Sequence, residues 1–133
     1  MMGYITRAEG IIRIIPPVKW NEVNNSPYLP QGYPPADDKL DLAFVINESQ
    51  RDTPEGLLLA REVVGIKPRW DEEAHNYRIT ENLQEIANTF RDRAFVGRFD
   101  MEGEENGDIW RLKMVGRIAT RFEPQIIWPE ESE

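Results

Sequence analysis

Apolar and polar residues alternate over two stretches flanking the acidic segment Glu102–Asp108. Phe95, Gly97, Phe99 and Met101 fall on one side of the first stretch, and Trp110, Leu112 and Met114 on one side of the second. Arg93–Gly116 therefore predicts a hairpin with one apolar and one charged face. Asn106-Gly107 supplies its turn, in a loop that can be longer than two residues. A second periodicity precedes it. Ile79, Leu83, Ile86, Ala87 and Phe90 lie at offsets 0, 4, 7, 8 and 11, a single helical stripe. That spacing predicts a helix from Thr80 to Phe90, with Thr80 as N-cap, Glu81 in the first turn, and Asn82, Glu85 and Asn88 on the solvent side.

The rest of the chain supplies further strands. Ile5–Ile15 opens the fold, and its β-branched run Ile11-Ile12-Arg13-Ile14-Ile15 predicts a central or doubly covered strand. Pro16-Pro17 is expected to end it, because proline has no N–H for a ladder, and Val18–Val23 to form a short helix. Residues 16–39 form a long Pro/Tyr-rich connection. Leu40, Leu42, Phe44 and Ile46 alternate as a half-buried strand, Glu48–Gly56 reads as a polar turn region, and Leu57–Ile66 returns as a strand that is apolar on both faces near its start. So short a connection makes these two strands antiparallel. Arg117–Phe122 predicts a third strand after the hairpin, which Ile126, Ile127 and Trp128 resume or whose edge they cover, and 129–133 is an acidic tail. The expected architecture is a single α+β domain over 1–133: a mainly antiparallel sheet of about six strands with one main helix, Thr80 to Phe90, on one face, a variant of the ferredoxin-like sandwich.

Composition narrows the function classes. With 133 residues, 40% hydrophobic and 30% charged, the chain can bury one core. Its lack of cysteine removes disulfides, thiolate metal sites and cysteine nucleophiles. No apolar run is long enough to span a bilayer and the N-terminus does not resemble a signal peptide, so the expected location is the cytoplasm, without a membrane partner. Sixteen basic against 24 acidic residues give a net charge of -8, which disfavours direct nucleic-acid binding. The excess is local: Asp71–Asp108 holds 11 acidic and 4 basic residues, the remainder 13 and 12. Such a block is either a solvated surface or an acidic face for a basic partner or an imitation of DNA.

Candidate chemistry is thin. Asp100, Glu102, Glu104, Asn106 and Asp108 alternate oxygen ligands through a glycine-containing loop, but not in the spacing of a calcium-binding loop, so an exposed acidic turn is expected and no metal is assigned. His75 is the sole histidine and lies in a polar segment; no nucleophile elbow, phosphate loop or dinucleotide fingerprint is present. No catalytic residue and no cofactor are predicted, and the chain reads as a non-enzyme. Trp20, Tyr28 and Tyr33 in the proline-rich connection, where six of the ten prolines fall between Pro16 and Pro35, either pin that loop to the sheet or meet a partner. Trp70, Trp110 and Trp128, with Phe95 and Phe99, are read as core rather than as a stacking platform. Arg98, Arg111, Lys113 and Arg121, with Arg117, cluster on the charged faces of the last strands as a candidate site for a small molecule or nucleotide.

Gly3-Tyr4-Ile5, Pro16-Pro17 followed by Trp20, Gln84-Glu85-Ile86, the block Glu102-Gly103-Glu104-Glu105-Asn106-Gly107-Asp108-Ile109-Trp110, and Ile127-Trp128-Pro129 together resemble a family of small uncharacterised proteins of actinobacteria and their phages. The resemblance covers nearly the whole chain and implies a small intracellular domain of phage or prophage origin with no known activity. More remotely, the layout is similar to ferredoxin-like domains of other phage and plasmid proteins. The expectation is a non-enzymatic protein that binds a host protein through Trp20, Tyr28, Tyr33, Glu102, Glu104, Glu105 and Asp108. The alternatives are ligand binding at the arginine-bearing strands and a metal-dependent enzyme at the acidic hairpin.

Overall fold

Eight elements follow one another among the described residues: β1 (Thr6–Lys19), α1 (Trp20–Val23), β2 (Leu42–Thr53), β3 (Gly56–Pro68), α2 (Ile79–Thr89), β4 (Ala94–Gly103), β5 (Ile109–Val115) and β6 (Ile118–Phe122). The structure is a computed structural model that describes residues 5–70, 74–105, 107–125 and 127–129. Its strands form one sheet in the order β2-β3-β1-β4-β5-β6, with every neighbouring pair antiparallel. An α+β domain dominated by a six-stranded sheet, with one helix of any length, is thus what the two periodicities anticipate.

The core lies between α2 and one face of the sheet. The helical stripe Ile79, Leu83, Ile86, Ala87 and Phe90 is buried together with Phe95, Phe99, Met101, Leu112 and Met114 of the hairpin. Ala8, Ile12 and Ile14 of β1 and Phe44 and Ile66 of β2 and β3 extend the same layer. Tyr28 and Leu29 reach it from the long connection, which packs down onto the sheet. Arg69 holds that connection in place, donating to the carbonyl oxygens of Leu29 at 3.2 Å, Pro27 at 3.3 Å and Leu42 at 3.0 Å.

Several local expectations are corrected. Pro16-Pro17 does not end β1, which runs on to Lys19. The pairing with β3 jumps from Arg13↔Gly65 to Val18↔Val63, and the pairing with β4 stops at Ile15↔Ala94, so the prolines occupy a stretch where no ladder N–H is demanded. The segment Glu48–Gly56 is not a turn region. β2 continues to Thr53 and pairs with β3 as far as Thr53↔Gly56, leaving Pro54-Glu55 as the turn. From Asn47 to Arg61 the two strands project beyond the core, so backbone pairing holds them without burial, and polar side chains give no alternation to read. The run Ile11–Ile15 is central but covered on one face only, for Ile11 is 52% exposed and Ile15 43%. Trp128 is not core: at 77% exposure it stands in solvent next to Ile127, and neither belongs to a strand. Ile126, like Asn106, lies outside the described residues.

The ends of α2 are capped from elsewhere in the fold. Thr80 is not the N-cap; the helix begins at Ile79, and the Arg78 N–H, at the cap position, donates to Asp41 Oδ2 at 2.8 Å. In return the Asp41 N–H donates to Asn82 Oδ1 at 2.8 Å, which explains why Asn82, expected on the solvent side, is buried. At the other end Arg117 donates to the carbonyl oxygens of Ala87, Phe90 and Arg93 and lies over the Phe95 ring, placing a cation at the negative end of the helix. Gln84 links the helix to the edge strand β6, accepting from the Ala119 N–H at 2.8 Å and donating to the Arg117 carbonyl at 2.9 Å.

Burial raises the carboxyl pKa of Asp41, with the Arg78 N–H and the charges of Arg78 and Arg69 opposing that rise. A carboxyl whose folded pKa lies above its unfolded value stabilises the fold fully below the unfolded pKa. That contribution is lost as pH rises through the folded value. Asp41→Asn keeps an acceptor for Arg78 and removes the titration. The Tm of the variant relative to the parent is therefore expected to rise as pH increases from below to above the ordinary aspartate value. Calorimetry at a series of pH values checks it, and a constant difference would refute it.

Candidate functional site

The face of the sheet away from α2 is broadly exposed. Among the described residues no helix or loop lies over it. Register places Arg7, Glu9, Ile11, Arg13 and Ile15 of β1 beside Glu102, Asp100, Arg98, Val96 and Ala94 of β4 on this face. Beyond β4 it continues through Ile109, Arg111, Lys113 and Val115 of β5 to Phe122, Thr120 and Ile118 of β6. Gly65 and Lys67 flank Ile11 and Arg13 on the other side.

Its composition is unusual for this chain. Ile11, Ile15, Val96, Ile109, Val115, Ile118 and Phe122 are 42–65% exposed. Interleaved with them are six cations, Arg7, Arg13, Lys67, Arg98, Arg111 and Lys113, against three carboxylates, Glu9, Asp100 and Glu102. The face therefore has a charge of about +3 by formal count on a chain of net charge -8. Part of that charge is organised internally. Asp100 Oδ1 lies 2.9 Å from Arg111 Nε and 3.3 Å from Arg98 Nε, and the hydrogen bond from Arg111 above all holds its carboxyl below the usual aspartate range. Lys113 Nζ lies 5.6 Å from the Phe122 ring centroid. At the end near the β4–β5 loop the face deepens into a groove of about 480 Å³, lined among others by Arg7, Glu9, Asp100, Glu102, Ile109, Arg111, Phe122 and Pro124.

The residues singled out from sequence fall into separate places. Arg98, Arg111 and Lys113 share the uncovered face. Arg121 does not: it pairs with Leu112, so it points to the helix side, where its guanidinium sits 4.0 Å from the Trp110 ring centroid and pairs with Glu123. Glu102 is on the uncovered face, opposite Ile109. Glu104 accepts from the Ile5 N–H at 3.2 Å, while Glu105 and Asp108 shape the loop through the Asp108 N–H to the Glu105 carbonyl, 3.0 Å. Among the described residues no three acidic or histidine side chains are gathered to hold a metal.

The aromatic trio divides as well. Tyr28 is 5% exposed, packs 6.0 Å from Phe44 and donates its hydroxyl to Glu85. Burial first, and then Glu85, holds its phenol proton well above the ordinary range. Trp20 and Tyr33 meet edge to face at 5.9 Å under the guanidinium of Arg61, and the Tyr33 hydroxyl donates to Glu48 Oε2 at 3.0 Å. All three therefore anchor the long connection to the sheet. Sequence reasoning missed Ile11, Ile15, Arg7, Arg13 and Val96 as surface. The signal was the alternation Ile11-Arg13-Ile15, where an arginine in the middle of a side marks it as wet.

With this geometry in place, comparison with family models identifies the group. The chain belongs to a family of unknown function, DUF6205, matched over residues 2–133. Comparison with curated proteins and with solved structures returned no match. Membership in the family brings no activity with it, so no residue acquires a role by transfer, and the uncovered face has to be judged on its own chemistry. Among the described residues no helix is long and apolar enough to cross a membrane.

Proposed function

We propose that this is a non-enzymatic binding domain that docks a host protein on the uncovered face of its sheet. The observation that supports the reading is the apolar and cationic character of that face on an otherwise acidic chain. Exposed isoleucine, valine and phenylalanine supply area to desolvate, and the interleaved arginines select a partner whose surface is acidic at its rim. The acidic loop Glu102–Asp108 then serves as the border of the site. A phage or prophage origin and action in the host cytoplasm belong to the same proposal and rest on the sequence resemblance. So does the ferredoxin-like kinship, supported by the order β2-β3-β1-β4 with β5 and β6 added beside β4.

Val96→Glu places a carboxylate at the centre of the face without touching the core, since Val96 is 50% exposed. Affinity capture from the host at physiological salt is expected to recover a stoichiometric partner with the parent chain and at least about tenfold less with the variant, the scale of one lost interface anchor. Equal recovery with both would remove this face from the function.

A second reading, a small amphiphilic ligand in the groove beside Arg7, Arg111 and Phe122, is favoured by its volume and mixed lining. Thermal-shift screening tests it, because a ligand specific for the native state raises Tm.

A further inference from the structure

The arm formed by the ends of β2 and β3 carries a second, independent surface. Leu57, Leu58 and Leu59 are 58%, 45% and 59% exposed. On one side β3 pairs with β2 along its whole length, but on the other its ladder with β1 ends at Lys19↔Glu62. Among the described residues no strand pairs with the free edge of Gly56–Arg61. The segment Gly56-Leu57-Leu58-Leu59-Ala60 thus offers unpaired backbone groups and five successive uncharged residues. Sheets normally guard such edges with charge, proline, a bulge or a covering segment. This molecule does so elsewhere: Gln84 covers β6, and the Tyr28 carbonyl accepts from the Phe44 N–H on the outer side of β2. Among the described residues the leucine edge Gly56–Ala60 has no such guard.

We infer that this edge pairs with the same edge of a second copy of the chain, antiparallel about a twofold axis through Leu58. Each residue then faces the one equally far on the other side of Leu58, and facing residues share a side of the joined sheet. Leu57 meets Leu59 of the other copy, Leu58 meets Leu58 and Gly56 meets Ala60, which brings the turn residue Glu55 beside Arg61 at both ends. Charge selects this register. An axis at Leu57 would leave Arg61 facing past the Pro54-Glu55 turn with no partner; an axis at Leu59 would set Arg61 against Leu57 and Gly56 against Glu62, whose edge β1 already occupies. Only the Leu58 axis gives every charged residue of the segment an opposite charge. The arm is preorganised for this role, for Arg61 is held by Glu48 at 2.7 Å and by the Trp20 and Tyr33 rings at its root.

Sedimentation equilibrium of the full chain, from micromolar to submillimolar concentration, reads the result directly. The parent is expected to show twice the chain mass of 15.5 kDa. Leu58→Lys, which sets two ammonium groups face to face, should return it to one chain mass, and Glu55→Lys should weaken association about tenfold or more by opposing Arg61 of the other copy. Because these side chains are exposed, the circular dichroism spectrum of both variants is expected to match the parent, while the Tm of the parent alone should rise with protein concentration. A parent that stays at one chain mass throughout would overturn the inference, as would a dimer that survives Leu58→Lys. Either outcome leaves the sheet-face reading untouched, since Val96 and Leu58 lie on different elements.

Discussion

Gly97→Ala is expected to destabilise the fold by about 2–4 kcal/mol, lowering Tm by roughly 8–15 °C in thermal unfolding. Gly97 has a φ of +124°, a conformation that side chains rarely adopt, and a Cβ built there would lie 2.4 Å from the Ile11 carbonyl oxygen. That oxygen belongs to the middle of β1, so relief requires moving the two central strands apart. Gly10 repeats the arrangement from the other strand, with φ +120° and a Cβ site 2.4 Å from the Arg98 carbonyl oxygen. The pair lets β1 and β4 approach where Phe99 faces Gly10 and Ile12 faces Gly97. Gly107→Ala is the control: its φ is +84°, but nothing lies within 4 Å of its Cβ site, so only the backbone strain of about 1 kcal/mol applies. Equal Tm values for the two variants would contradict the close approach of β1 and β4.

Phe99→Ala should cost about 3–5 kcal/mol, the range for removing a buried aromatic ring. Phe99 is fully buried and lies opposite both Gly10 on β1 and Leu112 on β5. The glycine leaves the ring space, and no neighbouring β-carbon at that position can close the void. Val96→Ala, three residues earlier on the same strand but on the other face, is expected to stay within about 0.5 kcal/mol. Chemical denaturation with both variants therefore measures how one-sided the sheet is. A large loss at Val96 would mean that the outer face is packed in the free protein.

The hairpin and the main helix were legible because each has one dry and one wet side, and burial writes that contrast into the sequence as a period of 2.0 or 3.6. Phe95, Phe99, Met101 and Leu112 therefore pointed inward in the reading as they do in the structure. The β2–β3 arm was not legible for the same reason reversed. From Asn47 to Arg61 neither face is buried, and backbone pairing alone leaves no alternation among Glu48, Ser49, Gln50, Arg51 and Asp52. Pro16-Pro17 misled because the local rule is sound but the ladder omits those two positions. Asp41, Gln84, Arg69 and Arg117 fasten elements far apart in the chain, and a single polar residue gives no local sign of such a partner. The candidate site was half visible. Arg98, Arg111 and Lys113 were grouped from their alternation on adjacent strands, whereas Arg7, Ile11 and Arg13 join them only through the pairing of β1 with β4, which no local pattern specifies.

That pairing makes the outer face a continuous surface, and docking of a host protein there is the central claim. The most direct test is photo-cross-linking in the host cell, with a benzophenone amino acid placed at Val96 on the sheet face in one experiment and at Asn88 on the exposed side of α2 in another. A discrete adduct from Val96, lost when Arg13 and Arg98 are both changed to glutamate, is the predicted result. No adduct from Val96, or the same adduct from both positions, would contradict it.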